Sequence, residues 1–237
     1  MGILPSISIG SVQISSAHLM YALALIAMAL FAYGTRRLTG LKNFGRCAAF
    51  SLLAGVTDYV GSKLLFCLQN PELVKSGAAF SFSGVSFFGV LFFSPVVMPL
   101  FCRMLGVRKQ QRLDLTAQAI ALMLFFVRIG CFLSGCCGGR LSHLFGLRFF
   151  WPTQLLECIA CAEILSLLVR QSRAGTLRGK GYPLLLILYS SIRFLLEFLR
   201  SSQPVLLGLT DGHWCALICV LWGTVWYLIL KRKEVRP

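Results

Sequence analysis

Apolar residues gather in seven blocks along the chain, at about 17–35, 45–67, 78–101, 116–137, 153–169, 183–199 and 213–230. Polar or basic stretches separate them. Each block approaches the roughly 20 residues that a helix needs to cross a hydrocarbon core about 30 Å thick. Lipid offers the backbone no hydrogen-bond partner, and a helix satisfies its own, so helix is the element expected in every block. The pattern predicts an all-α integral membrane protein with about seven transmembrane helices, in a single transmembrane domain over residues 1–237. The fifth and sixth blocks are short and interrupted by charge, so their limits are the least sharply drawn.

Composition agrees, with 57% hydrophobic and 13% charged residues, against roughly 25% charged in a soluble domain. The net charge of +15 changes the picture only through its distribution. Arg36, Arg37, Lys42 and Arg46 follow the first block, and Arg103, Arg108, Lys109 and Arg112 follow the third. Arg170, Arg173, Arg178 and Lys180 follow the fifth, and Lys231, Arg232, Lys233 and Arg236 follow the seventh. Alternate connections thus hold 16 of the 23 basic residues, and the first 17 residues hold none. The positive-inside rule then predicts an outer N-terminus and a cytoplasmic C-terminus at every loop. Topology and anionic headgroups account for the basic excess, which leaves no call for a nucleic-acid partner. Without a basic n-region the first span is expected to be retained rather than cleaved. Of the ten cysteines, Cys47, Cys67, Cys158, Cys161, Cys215 and Cys219 lie inside blocks and read as small packing residues.

Seven ionisable residues fall inside the apolar blocks: Asp58, Lys63, Arg128, Glu157, Glu163, Arg193 and Glu197. A charge at such depth is costly and needs a partner or a purpose. With the topology above, all but Glu163 converge on one depth below the outer headgroups. Tyr189, Arg193, Glu197 and Arg200 are spaced to share one helical face. That face is expected to line a polar cavity in the outer half of the bundle. Arg193–Glu197 and Asp58–Lys63 also qualify as pairs that merely hold helices together.

The fourth block ends in Arg128-Ile-Gly-Cys-Phe-Leu-Ser-Gly-Cys-Cys-Gly-Gly-Arg140, whose glycines let the backbone turn and a ligand approach. Gly130, Cys131 and Gly135 are candidates for lining such a site, and the two arginines are suited to an anionic group. Cys131, Cys136 and Cys137 lack CxxC spacing and a nearby histidine, so no metal is assigned to them. Their replacement by serine at 136 and 137 is expected to matter little. Trp151-Pro-Thr-Gln-Leu-Leu-Glu157 predicts a helix starting at Pro152 or Thr153, with Gln154 and Glu157 on its outermost turns. Gly84-Val-Ser86-Phe-Phe-Gly89 read alone is a small-residue packing face.

Taken in order, these motifs resemble the prolipoprotein diacylglyceryl transferase family of bacterial inner membranes, over about residues 18–230. Ser86-Phe-Phe-Gly89 is similar to the family's Ser-Phe-His-Gly, and Arg128-Ile-Gly-Cys-Phe132 to its Gly-Arg-x-Gly-Asn-Phe. Trp151-Pro-Thr-Gln-Leu-Leu-Glu157 resembles His-Pro-Ser-Gln-Leu-Tyr-Glu. Tyr189-Ser-Ser-Ile-Arg-Phe-Leu-Leu-Glu-Phe-Leu-Arg200 matches Tyr-x-x-x-Arg-Phe-x-x-Glu-x-x-Arg, and Gly208-Leu-Thr-Asp-Gly-His213 resembles the start of the last span.

The resemblance implies transfer of diacylglycerol from phosphatidylglycerol to a cysteine thiol of a lipoprotein precursor, with glycerol phosphate leaving and no cofactor. It implies Arg128 and Arg193 as a phosphate clamp, Glu157 and Glu197 orienting them, and Tyr189 supporting the site or relaying a proton. Gly130, Cys131, Gly135, Arg140, Gln154, Arg200, Ser86 and His18 are the accompanying substrate-binding candidates. Phe88, Cys131, Val127, Trp151 and Leu156 depart from the family pattern, Phe88 where it carries histidine. His18 or His213 is then the candidate replacement base. A transferase with another acceptor, and a lipid-binding or transport protein using the same cavity, remain the alternatives.

Overall fold

The structure is a computed structural model that describes residues 4–9, 12–76, 84–144, 147–201 and 203–235. Each expected block corresponds to a long helix: α1 Ser16–Gly34, α3 Phe44–Gln69, α5 Phe87–Met104, α6 Arg112–Ser134, α7 Thr153–Arg173, α8 Gly181–Glu197 and α9 Asp211–Val235. Two short helices, α2 Arg36–Thr39 and α4 Pro71–Lys75, sit in connections. Among the described residues, five helices, α1, α3, α5, α6 and α9, are long and apolar enough to cross a membrane. The protein is thus an all-helical, multi-pass integral membrane protein. The charges that interrupted the fifth and sixth blocks lie on α7 and α8, and α8 has 17 residues.

The differences from the expected limits have local causes. Residues 78–83 of the expected third span, like Arg236, lie outside the described residues. Helix α5 starts only at Phe87, because Ser86 is extended and its N–H donates to the Ser62 carbonyl. Helix α6 stops at Ser134 instead of 137 because Gly135 takes the left-handed conformation, φ 70°, the usual way a glycine ends a helix. Helix α8 ends at Glu197, so Arg200 lies beyond the helix whose face it was expected to share; it pairs as a bridge with Gly139. Two antiparallel strand pairs accompany the described helices: β1 Ser6–Ile9 with β2 Val12–Ser15 before α1, and β3 Leu141–Leu144 with β4 Leu147–Phe150 between α6 and α7.

More of α6 is buried than of any other candidate span, and it joins two apolar cores. Leu115, Ala119 and Met123 pack with α1, α3 and α5, while Ala117, Ile120, Ala121 and Leu124 pack with α5, α7, α8 and α9. At one end of α6 Asp114 accepts hydrogen bonds from the Gly179 and Gly181 amides at 2.9 and 2.7 Å. The α6 C-terminus, the α7 N-terminus, the α8 C-terminus and the α9 N-terminus meet at the other end. The Leu4 amide also reaches that end, on the Leu133 carbonyl at 3.1 Å.

Helices α3 and α5 approach closely at Gly61 and Gly89, where a Cβ on Gly89 would lie 2.1 Å from the Gly61 carbonyl oxygen. Any side chain there must push the helices apart, and overpacking typically costs about 1–3 kcal/mol. Gly89→Val is expected to lower the unfolding midpoint of the purified protein in detergent. An unchanged midpoint would show that the crossing is not tight.

Candidate active site

The converging helix ends hold two buried ion pairs. From α6, the Arg128 Nη2 lies 2.8 Å from Glu157 Oε1 on α7. The Tyr189 hydroxyl of α8 donates to the same oxygen at 2.5 Å. One turn further along α8, Arg193 Nη2 meets Glu197 Oε2 at 2.7 Å, and Arg200 Nε lies 3.6 Å from that oxygen. Arg128, Glu157, Tyr189, Arg193 and Glu197 are all buried. The i, i+4 spacing on α8 puts Tyr189, Arg193 and Glu197 on one face, and the other helices bring their partners to it.

Thr210, which was not expected here, and His213, expected as a candidate base, complete the second pair. The Thr210 hydroxyl donates to Glu197 Oε1 at 3.0 Å and touches His213 Nδ1 at 3.0 Å. His213 is 3% exposed, so it is a buried member of the site and no helix-end surface residue. Gly212 allows this approach: a Cβ there would lie 2.7 Å from the Glu197 carboxyl carbon. The Leu-Thr-Asp-Gly-His run carried the signal for all three, but nothing in its spacing says that Thr210 reaches Glu197.

Several polar atoms here are buried without a hydrogen bond to any described residue: Arg128 Nε, Arg193 Nη1, Glu157 Oε2 and His213 Nε2. Buried polar groups are normally satisfied. Two guanidinium donors left in this state make the site suited to an anionic group.

The segment after α6 flanks the same place. Gln154 Nε2 donates to the Cys136 carbonyl at 2.7 Å. Thr153 Oγ1 and Arg200 Nη1 donate to the Cys137 carbonyl at 3.2 and 3.1 Å. The three thiol sulfurs of Cys131, Cys136 and Cys137 lie within 4.8 Å of one another, a grouping that the C-x4-C-C spacing did not suggest. Hydrogen bonds from the Cys131 and Cys136 thiols, helped by the charges of Arg128 and Arg200, hold the Cys137 thiol below its ordinary range.

Gly130 lies against α1, where a Cβ would meet Met20 Cβ at 3.1 Å, so it serves helix packing. Gly135 is the α6 cap. Arg140 is exposed and joins through its backbone, its N–H donating to the Leu199 carbonyl at 2.7 Å. Ser86 precedes Phe87, whose ring sits edge-on to Tyr189 with centroids 5.0 Å apart. His18 is exposed on the first turn of α1, and Phe88 is buried in the apolar core. The six charges expected at one depth divide. Asp58 accepts from Ser94 Oγ at 2.9 Å, Lys63 donates to the Gly84 carbonyl at 2.8 Å, and the other four form the two pairs. Glu163 is exposed in a groove with Arg170, Leu188 and Ile192.

The model of the prolipoprotein diacylglyceryl transferase family matches residues 5–229. The chain belongs to that family. Among similar transferases, a phosphatidylglycerol–prolipoprotein diacylglyceryl transferase of Dehalococcoides mccartyi is 25% identical over 247 residues, covering 96% of this chain and 93% of the relative. One of Clostridium tetani is 28% identical over 174 residues, 65% of this chain and 67% of its own. One of Methylobacillus flagellatus is 34% identical over 164 residues, 64% and 62% respectively. The family match spans every helix that contributes to the two ion pairs of this transferase.

Removing one partner of a buried pair leaves an uncompensated charge and costs about 3–5 kcal/mol. Glu157→Ala is therefore expected to lower the unfolding midpoint clearly. Glu157→Gln, whose amide oxygen still accepts from Tyr189, should lose less. Equal midpoints for Glu157→Ala and the parent would remove the pair from the account of stability.

Proposed function

We propose that this chain moves diacylglycerol from phosphatidylglycerol to the cysteine thiol of a lipoprotein precursor, at the site between α6, α7, α8 and the start of α9. The observation that carries the reading is the pair of buried arginines, Arg128 and Arg193, from facing helices, each with a carboxylate partner and one further donor unused among the described residues. A phosphodiester takes up such donors, because guanidinium N–H groups match phosphate oxygens. As the carbon–oxygen bond to the departing glycerol phosphate breaks, charge grows on the phosphate. Donors already fixed in place stabilise that charge without reorganising. Glu157 and Glu197 position the two arginines, Tyr189 braces Glu157, and Thr210 with His213 braces Glu197. Gln154, Arg200, Gly135 and Cys131 shape the adjoining loop, while Ser86, Arg140 and His18 remain candidates at its margin.

The same reading gives seven spans with an outer N-terminus and a cytoplasmic C-terminus, in the inner membrane of a bacterium, as one transmembrane domain. The basic residues in alternate connections support it. A C-terminal reporter that works only in the cytoplasm should be active, and one fused after residue 140 should be silent; the reverse result overturns the orientation.

Transfer of labelled diacylglycerol from phosphatidylglycerol to a cysteine-containing precursor peptide, by purified protein in nanodiscs, tests the function. The parent is expected to label the peptide, and Arg193→Ala and Arg128→Ala to lose at least a hundredfold in rate, the scale of losing a preorganised charge stabiliser. Undiminished transfer in both variants overturns the phosphate clamp. Bound phosphatidylglycerol without transfer by the parent points instead to another acceptor or to lipid binding alone.

A further inference from the structure

We propose that Cys131, Cys136 and Cys137 form a three-thiolate site for zinc, with its fourth position open to the acceptor thiol of the transfer reaction. The acceptor role rests on the function proposed above; the metal site itself does not.

All three sulfurs lie within 4.8 Å of one another. A tetrahedral zinc with bonds of about 2.3 Å holds its sulfurs about 3.8 Å apart, so small side-chain rotations close the set. The backbone is built for this grouping. Cys131 lies in the last turn of α6, Gly135 reverses the chain, and the Cys136 amide donates back to the Cys131 carbonyl at 3.1 Å. Cys137 adopts φ 60° although it is not glycine, a conformation that costs energy and persists only where surroundings impose it. Gln154, Thr153 and Arg200 impose it by binding the Cys136 and Cys137 carbonyls. Those bonds use carbonyl oxygens alone, so the sulfurs stay available to a shared ligand.

Charge favours the same site. Three thiolates with a dication carry one net negative charge. Arg200 sits on the Cys137 carbonyl, and Arg128 lies one turn before Cys131 on α6. The thiols are also accessible. Cys136 and Cys137 are exposed, and among the described residues the metal-ligating group contains these three alone. Three protein ligands and one open position are what catalytic zinc sites share, whereas structural ones are closed by four.

The chemistry gives the open position a use. A free thiol titrates near 8.5, so most of it is protonated at neutral pH, yet the thiolate is the nucleophile. Glu157 and Glu197 are held by arginines, Tyr189 donates its proton toward Glu157, and His213 is buried on the Thr210 side of Glu197. Coordination to a cation deprotonates a thiol outright. The sulfur lone pair then attacks the diacylglyceryl carbon next to the Arg128 clamp. The carbon–sulfur bond forms and the carbon–oxygen bond breaks. Its electron pair leaves with glycerol phosphate, which takes up the proton released by the thiol, and nothing is oxidised or reduced.

Cobalt(II) is the probe, because thiolate-to-cobalt charge transfer and tetrahedral d–d bands report this ligand set directly. Full-length protein, stripped with a chelator and loaded with cobalt, is expected to bind it stoichiometrically with those bands, and zinc should displace it. Cys131→Ser, Cys136→Ser and Cys137→Ser should each lose the bands, while Cys47→Ser and Cys219→Ser keep them. Chelation and reloading of the unmutated protein reads the same site with no folding risk. A precursor peptide should shift the d–d bands only if it carries cysteine and not serine. Arg193→Ala should keep the cobalt spectrum while losing transfer, which separates this proposal from the function beneath it. No stoichiometric cobalt, bands that survive Cys131→Ser, a reducible disulfide in place of the three thiols, or bands blind to the peptide's thiol would each overturn it.

Discussion

A guanidinium inside an apolar bundle must be met by opposite charge at contact distance, and here that requirement falls on Arg128. Glu157 meets it from α7, and Tyr189 from α8 shares the same carboxylate oxygen. Three helices are thereby tied at one depth by groups that cannot turn to lipid without a large desolvation penalty. The second pair, Arg193 with Glu197, repeats the arrangement one turn away and ties in the start of α9 through Thr210.

Helix α6 is the member through which the constraint spreads. Its buried faces join both apolar cores, Asp114 anchors one end to the α7–α8 connection, and Arg128 anchors the other to the site. Beyond Arg128 the helix is stopped by Gly135, and the chain that follows is held by Gln154, Thr153 and Arg200. Arg200 thus serves twice, near Glu197 by charge and on the Cys137 carbonyl by hydrogen bond. The thiol cluster and the arginine pairs are accordingly neighbours sharing supports, and the proposed acceptor and donor halves of one reaction would meet between them.

Much of this protein is legible in its sequence. Apolar runs of span length located all seven long helices, because hydrocarbon and backbone hydrogen bonding leave helix as the default. The i, i+4 spacing identified the Tyr189, Arg193 and Glu197 face, since neighbours on one helix are fixed by its 3.6-residue turn. Ordered motifs pointed to the transferase family, to which the chain belongs. Partners across helices were another matter. Spacing cannot say that Asp58 answers to Ser94 rather than Lys63, that Arg128 takes Glu157, or that Thr210 reaches Glu197. Nor does C-x4-C-C spacing reveal three converging sulfurs, because their meeting depends on a left-handed glycine and on three donors from two other segments. Local periodicity is a property of one stretch of chain, whereas pairing is decided by which helix faces which, and that choice belongs to the tertiary structure.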